Sequence, residues 1–532
     1  MSEKPIYILP ENTSRILGKD AQRNNILAAK VIADIVKTTL GPKGMDKMLV
    51  DSSGNIIVTN DGVTILEEME IDHPAAKMMV EIARAQENEV GDGTTTVALL
   101  AGKLLENAEK LLDKKIHPTV IIKGYKLAAE YAIAALDEIS SPVSSETTLK
   151  QIAMTAMTGK GAEGNKEKLA DLVVKAISQV GQGKAIDLDN IKIGKIKGDS
   201  ISNSELVNGI VLEKERANQD MPSHIENAKI ALVDFALEIR NPETEAKISI
   251  SSPEQLQSFI ESEEHYLREL TNKIIKSGAN VILCQKGIDD VAQYYLAKAR
   301  ITAYRRVTKS DMEKIAKATS TKIISNINDL NESQLGKAKT VEEIKRGDEV
   351  LTYISGCLNP AAVTIMAHGP TSHIVDEIER AIKDALGDAA SAIKDNKIVA
   401  GGGAVEMELS KRLRHYAKTL GGREQLAIEE FASSLESIPE ALAENAGLDP
   451  INTLAELKSR HESNFQNHGL NLFTNQIEDT LKAGIIEPRK VKTQAISSAS
   501  EIAMMLLRID DVLISRSSSP QARMPQQYDG LD

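Results

Sequence analysis

Apolar residues recur at helical spacing in the first part of the chain. They predict one amphipathic helix from Asn24 to Leu40, ended by Gly41-Pro42, and another from about Thr94 to Leu112. The two apolar stripes consist of Ile26, Leu27, Val31, Ile35 and Val36, and of Val97, Leu100, Leu104, Leu105 and Ala108. The first 140 residues are therefore predicted to be mainly helical.

Short apolar runs bounded by turn formers replace this pattern between about 205 and 368. The short apolar runs are 229–237, 279–285, 321–327 and 361–369, and one of the helical stretches between them is 288–299. The alternation predicts a sheet with crossover helices, in a domain of its own. Helical spacing returns at 375–386 and 426–447, so the chain leaves a helical region and comes back to it.

Size and charge narrow the class of protein. The 532 residues suffice for about three domains of roughly 150 residues. A net charge of −13, with 3% aromatic residues and no Trp, makes nucleic acid an unfavourable partner.

No apolar run approaches the ~18 residues of a spanning helix, and no secretory signal is visible, so we expect no membrane span and a cytoplasmic location. Cys284 and Cys357 are expected to be buried thiols.

The strongest local signal for chemistry is a glycine- and threonine-rich cluster that opens the second predicted helix. It consists of Gly91, Asp92, Gly93, Thr94, Thr95 and Thr96. The glycines let a phosphate approach the free N–H groups of the helix start, the threonine hydroxyls can donate to it, and the Asp carboxylate can hold Mg²⁺. Helix capping by Asp92 or Thr94 is the alternative.

Other segments have a similar character, each with a structural alternative. Segments 40–49 and 59–66 are glycine-rich and acidic, but taken singly they are better explained by a helix stop at Gly41-Pro42 and a hairpin turn at Asp61-Gly62. Asp384 follows Arg380 and Asp376 at i,i+4 spacing, which is also typical of a solvated salt-bridge ladder. Glycines 401–403 open a further helical pattern and suit either a ligand contact or a hinge.

Standard nucleotide motifs do not explain these segments. The P-loop pattern G-x-x-x-x-G-K-[ST] does not occur. Gly159, Gly161 and Gly164 match G-x-G-x-x-G, but a helical pattern rather than a strand precedes them, so we treat the match as coincidental.

Taken together and in order, these segments closely resemble archaeal group II chaperonins, the thermosome subunits, and are similar to crenarchaeal rosettasome subunits. The likeness extends from about residue 10 to 512. The segments that carry it are 40–49, 60–66, 91–96, 158–164, 284–298, 375–386, 399–406, 445–450 and 484–492.

The resemblance implies a multidomain α and α/β fold. A helical equatorial domain would comprise 1–145 and 402–532, and a hinge-like intermediate domain 146–214 and 369–401. An α/β apical domain, 215–368, would carry a helical protrusion at about 242–278 as a built-in lid. In the stripe of this protrusion we expect the C-terminal half to be core, and Leu256, Phe259 and Ile260 to be partly exposed.

The resemblance also implies function and site residues. The chain would be an ATPase subunit that encloses non-native proteins in stacked double rings with other chaperonin subunits, or alternatively a structural or regulatory ring subunit with weak ATPase activity. By likeness, Asp92 is the Mg²⁺ ligand, and Asp61 and Asp384 are the catalytic carboxylates that orient and activate water. The expected ATP contacts are Gly41, Pro42, Gly91, Gly93, Thr94, Thr95, Thr96, Lys160, Gly402 and Glu487.

Overall fold

The computed structural model describes residues 13–50, 54, 56–181, 186–239, 252–346, 349–358 and 360–515. The polar tail from 516 onward and the start of the expected protrusion, 242–251, lie outside these residues. Among the described residues, no helix is both long and apolar enough to cross a membrane. Both cysteines are buried, as expected.

The first part of the chain is mainly helical. Its elements are β1 (Thr13–Leu17), α1 (Gly18–Lys37), β2 (Lys47–Val50), β3 (Ile56–Thr59), α2 (Gly62–Glu67), α3 (Pro74–Val90), α4 (Thr94–Asp113), α5 (Pro118–Ile139) and β4 (Ser141–Pro142). Helices α1 and α4 confirm the two predicted helices. Leu27 and Val31 are exposed, however, because α1 packs on α4 through a face that includes Ile26, Ala29 and Ala33.

The middle of the chain builds a seven-stranded sheet. Elements from the next helix onward are α6 (Glu146–Met157), α7 (Lys166–Val180), β5 (Ile191–Lys197), β6 (Glu205–Val207), β7 (Gly209–Leu212), β8 (His224–Val233), α8 (Pro253–Lys276), β9 (Val281–Cys284), α9 (Asp290–Lys298), β10 (Thr302–Tyr304), α10 (Lys309–Thr319), β11 (Ile323–Ile324), β12 (Gly336–Arg346) and β13 (Glu349–Ser355). The strand order is β10-β9-β8-β12-β13-β7, with β11 beside β8. Strands β8, β9 and β10 are parallel, and α8 and α9 lie between them in sequence, which confirms the predicted crossover helices.

A second, smaller sheet contains β14 (Val363–Gly369). This strand runs parallel to β5 and antiparallel to β6, so the grouping of run 361–369 with the middle sheet is wrong. The apolar run predicts a buried strand correctly but contains no information about which strands it pairs with. Helix α11 (Ser372–Asp395) packs with α6 and α7 against this sheet, around a core that includes Leu169, Ile365 and Ile378.

The last part of the chain packs against the helices of the first part. Its elements are β15 (Lys397–Ala400), α12 (Ala404–Thr419), α13 (Glu424–Leu435), α14 (Ser437–Asn445), α15 (Pro450–Glu462), β16 (His468–Asn471), β17 (Gln476–Asp479), β18 (Ile486–Pro488), α16 (Arg489–Leu507) and β19 (Asp511–Ser515). Helices α12, α13 and α16 share a core with α1, α4 and α5, and β19 pairs with β1. The predicted multidomain α and α/β class, with departure and return of the chain, is confirmed.

Candidate functional site

A cavity of about 210 Å³ lies between two hydrophobic cores. The first core joins α1, α4 and α5 to α12, α13 and α16, and the second core is formed by α6, α7 and α11 with the smaller sheet. Loops after α1 and α3, the loop between α6 and α7, and the segment around β16 to β18 form its wall. Of the expected site residues, those on the wall are Gly41, Pro42, Asp61, Asp92, Gly93, Thr94, Thr95, Thr96, Lys160, Gly402 and Glu487. Residues more than 400 positions apart in sequence thus share one cavity.

Helix α4 points its N-terminus at this cavity. Gly91 and Gly93 both have positive φ, 86° and 82°, which glycine adopts without strain. Among the described side chains none caps the helix, so its first N–H groups are free to bind an anion. The buried amide of Gln86 donates to the carbonyl of Asp92 at 3.0 Å and fixes this loop. Capping by Asp92 or Thr94, the alternative for this cluster, is therefore wrong.

Asp61 lies at the start of α2, beside the start of α4. Its Oδ2 accepts from the backbone N–H of Thr64 at 2.9 Å and from the hydroxyl of Thr64 at 2.7 Å. The hydroxyl of Thr94 donates to Oδ1 at 3.2 Å. Asp61 is thus a helix cap rather than part of a hairpin turn, and the same contacts hold its carboxylate against the cavity.

Lys160 and Asp384 form a largely buried ion pair between the α6–α7 loop and α11. The side chain of Asp384 is 14% exposed, which excludes the solvated ladder. Burial, with the carboxylates of Asp92 and Asp61, raises the pKa of Asp384 to about 7. Burial alone would lower the pKa of Lys160, but Asp384, Asp92 and Asp61 raise it.

Two contacts fix the Lys160 loop to both cores. The side chain of Asn60 donates to the carbonyl of Gly159 at 2.8 Å, and the N–H of Gly161 donates to Oε1 of Glu377 at 2.7 Å. The glycines of the coincidental G-x-G-x-x-G match thus position a lysine and form no dinucleotide fingerprint.

Two expected site residues do not line the cavity. Asp384 reaches it only through Lys160. Gly91 faces α11 instead, where a Cβ added to it would lie 2.9 Å from the Cα of Gly387. This correction for Gly91 follows from close packing of two backbones, which glycine permits on both sides.

The far end of the cavity joins Glu487 and Gly402 to the segment around β16. Gly402, at φ 66°, accepts from the N–H of Leu470 at 2.8 Å, and a Cβ there would lie 2.6 Å from the Leu470 carbonyl oxygen. Lys492 binds Glu487 at 2.7 Å and Glu406 at 2.8 Å. Burial, with Glu406 and Asp92, raises the pKa of Glu487 despite Lys492.

An apolar wall completes this end of the cavity. It is formed by Ile438, Leu442, Leu470, Leu472, Phe473 and Ile485. The cavity therefore has a polar end with an anion-binding helix start and an apolar end with a carboxylate, which fits a nucleotide with its phosphates at α4.

Mg²⁺ fits the polar end only in combination with phosphate. Within the described parts of the chain, no three His, Cys, Asp or Glu side chains are grouped to hold a metal. Asp92 would supply one carboxylate, and Mg²⁺ commonly takes one or two carboxylates, with phosphate oxygens and water as its remaining ligands.

Sequence reasoning missed three parts of the cavity. Most of the apolar wall comes from segments with no motif, and Ile485 and Lys492 have no signal apart from their place in the 484–492 segment. Asp388, which also lines the cavity, lies four residues after Asp384, and this i,i+4 spacing alone could have indicated it.

Comparisons with known proteins agree with this geometry. Residues 32–517 match the model of the TCP-1/cpn60 chaperonin family. The chain is 53% identical to thermosome subunit beta of Methanothermobacter thermautotrophicus, over 99% of this chain and 98% of that protein. It is 53% identical to thermosome subunit alpha of Thermoplasma acidophilum over 99% and 97%, and 54% identical to the thermosome subunit of Methanopyrus kandleri over 97% and 96%.

Proposed function

This chain belongs to the TCP-1/cpn60 chaperonin family, as a chaperone subunit of the archaeal group II type, and we propose that it binds Mg·ATP and hydrolyses it to drive protein folding. The family is ATP-dependent in general. The observation that carries the proposal for this chain is the convergence of the free α4 N-terminus and the buried Lys160–Asp384 pair on one cavity.

Each residue has a role that follows from its position. The N–H groups of Thr94, Thr95 and Thr96, with the hydroxyls of Thr95 and Thr96, would hold phosphate oxygens. Asp92 would hold Mg²⁺, and Glu487 would accept from a ribose hydroxyl. Bound Mg·ATP would supply the phosphoryl group that is transferred, and its Mg²⁺ would neutralise part of the negative charge of the phosphates. Lys160 adds a fixed positive charge at the same end of the cavity.

Asp61 and Asp384 would orient and deprotonate the attacking water. Asp61 is fixed by Thr64 and Thr94, so its carboxylate is pre-organised. Asp384, with a pKa raised to about 7, is basic enough to accept a proton at neutral pH. Because Asp384 lies on α11 and Asp61 on the first core, hydrolysis would require the two cores to close on each other.

We extend the proposal to domains and partners. The equatorial (1–145, 402–532), intermediate (146–214, 369–401) and apical (215–368) division fits three groups of cores, although strand pairing favours placing β14 in the intermediate domain and β7 in the apical domain. We expect stacked double rings with other chaperonin subunits and non-native proteins as clients.

Asp384→Ala tests the proposal. ATP binding should persist, since the phosphate-binding groups are untouched, while steady-state hydrolysis by the purified chain should slow by at least about tenfold, ~1.4 kcal/mol in the barrier. Asp376→Ala, on the exposed face of the same helix, is the matched control and should hydrolyse normally. Unmeasurable hydrolysis by the unmodified chain would favour the structural or regulatory ring subunit instead.

A further inference from the structure

Asp388 is a buried carboxyl group for which the roles above have no use. It lies on α11, one turn after Asp384, lines the cavity and is 3% exposed. Within the described part of the chain, its Oδ1 has no hydrogen-bond partner. A polar atom buried in this way costs about 1–3 kcal/mol, so a carboxyl group at this position requires an explanation.

The charges around Asp388 do not explain why a carboxyl group is buried there. Burial, together with the carboxylates of Asp92, Glu487 and Asp384, raises its pKa well above the usual range, and only Lys160 opposes this. Lys160 is bound to Asp384, and Lys492 is bound to Glu406 and Glu487. Both lysines on the cavity wall thus already have carboxylate partners.

A charged Asp388 would also conflict with the ligand. On the proposed function, the same cavity holds a nucleotide whose phosphates carry several negative charges. An ionised carboxylate can only accept hydrogen bonds and would repel those phosphates, whereas a protonated carboxyl group can donate one. A carboxylic acid kept neutral for this purpose is a known device in enzyme sites.

We propose that Asp388 carries a proton in the closed cavity and donates a hydrogen bond to an oxygen of the bound nucleotide. The proposal rests on the proposed function. It makes Asp388 a nucleotide-binding residue contributed by α11, so that docking of α11 on the first core adds a direct contact to the ligand. The acceptor is a phosphate or ribose oxygen, and the experiment distinguishes these.

The test compares Asp388→Asn with Asp388→Ala. Asn has nearly the same shape, is always neutral and donates from its amide, so ATP affinity measured by calorimetry should stay within about threefold. Ala removes the donor and should weaken ATP binding by about tenfold or more, the worth of a hydrogen bond to a charged acceptor. Asp376→Asn on the exposed face of α11 is the control and should leave affinity unchanged.

Parallel titrations with ADP and 2′-deoxy-ATP locate the acceptor. If the Ala variant loses affinity for ATP and 2′-deoxy-ATP but not for ADP, the acceptor is an oxygen of the terminal phosphate. If it loses affinity for all three, the acceptor is an α- or β-phosphate oxygen or a ribose oxygen other than the 2′-hydroxyl. An Ala effect missing only with 2′-deoxy-ATP identifies that hydroxyl.

Two results would overturn the proposal. Equal losses in the Asn and Ala variants, growing with Mg²⁺ concentration, would make Asp388 an ionised metal ligand. Unchanged affinity in both would make it an inert packing residue. Thermal unfolding without nucleotide checks the fold, and the Ala variant should be no less stable than the parent because it loses an unpartnered buried group. Failure of the unmodified chain to bind ATP would instead refute the proposed function.

Discussion

At the scale of single residues, Glu408 on α12 is a buried acid outside the cavity that accepts from three side chains. Its carboxylate accepts from Nδ1 of His461 at 2.9 Å, from Lys411 at 3.1 Å and from Arg412 at 3.0 Å. Burial alone would raise the pKa of Glu408, but these donors lower it to about 2. The cluster joins α12 to α15 and fixes the segment that leads to β16 and the cavity wall.

We predict that Glu408→Gln destabilises the protein by about 3 kcal/mol at pH 7, because Lys411 and His461 lose their buried carboxylate partner and Arg412 keeps only its exposed pair with Glu138. The folded pKa lies below the unfolded value of about 4.3, so the parent loses this stabilisation as pH falls from about 4 to about 2. Thermal unfolding between pH 7 and 2 should show the variant approaching the parent at the acid end. Glu456→Gln, which removes an exposed pair with Arg460, is the control, and a Glu408→Gln midpoint as high as that control would contradict the prediction.

At the scale of elements, α8 changes character along its length. Leu267, Leu270 and Ile274 are buried, whereas Phe259 and Ile260 are 38% and 53% exposed. This confirms the expected division of the helix for the residues described; the side chain of Leu256 lies outside the description. Exposed apolar groups on one turn are typical of a contact with a partner, which on the proposed function is a client or a neighbouring protrusion.

We predict that Phe259→Asp with Ile260→Asp leaves ATP hydrolysis within about twofold, since the cavity is built from other segments, but reduces client folding at least about fivefold because the apolar contact is lost. Refolding yield of a denatured client and ATP-dependent protection of α8 from protease measure this. Ile275→Asp, an exposed apolar position in the last turn of the same helix, is the control. Normal folding and protection in the double variant would assign this turn no role in enclosure.

At the scale of the whole molecule, the first and second cores meet at two glycines. A Cβ at Gly387 of α11 would lie 2.9 Å from the Cα of Gly91 and 3.0 Å from the carbonyl oxygen of Val90. Both neighbours are backbone atoms at the C-terminal end of α3, just before the turn that leads to α4. Any side chain on Gly387 would therefore hold α11, and with it Asp384 and Asp388, away from the cavity.

We predict that Gly387→Ala slows ATP hydrolysis at least about tenfold, ~1.4 kcal/mol, by preventing close docking of α11. Thermal stability should not fall much, because Ala favours a helix over Gly by about 1 kcal/mol. Steady-state turnover with limited proteolysis tests this. Gly421→Ala, where a Cβ would meet open space, is the control. Parent-like turnover would show that the two cores need not approach this closely.

Local apolar patterns predict the helices, and the resemblance to group II chaperonins indicates the segments that line the cavity. Helices α1 and α4 follow from apolar spacing with Gly-Pro and Gly-Thr signals at their ends, and the site segments were recognised in order along the chain. The two helices depend on contacts within about one helical turn, which a linear pattern records, whereas the roles of the site residues come from the resemblance and stay a prediction.

Which faces and segments meet follows from the tertiary structure. Leu27 and Val31 are exposed in the folded chain, and β14 belongs to the second sheet. Gly91 faces Gly387, and Asp384 contacts Lys160, which lies 224 positions away in sequence. Periodicity shows that a helix has an apolar face or that a strand is buried, but the partner depends on long-range packing and on strand pairing. For the same reason, a linear pattern does not show that Asp388 is buried on the wall of a cavity.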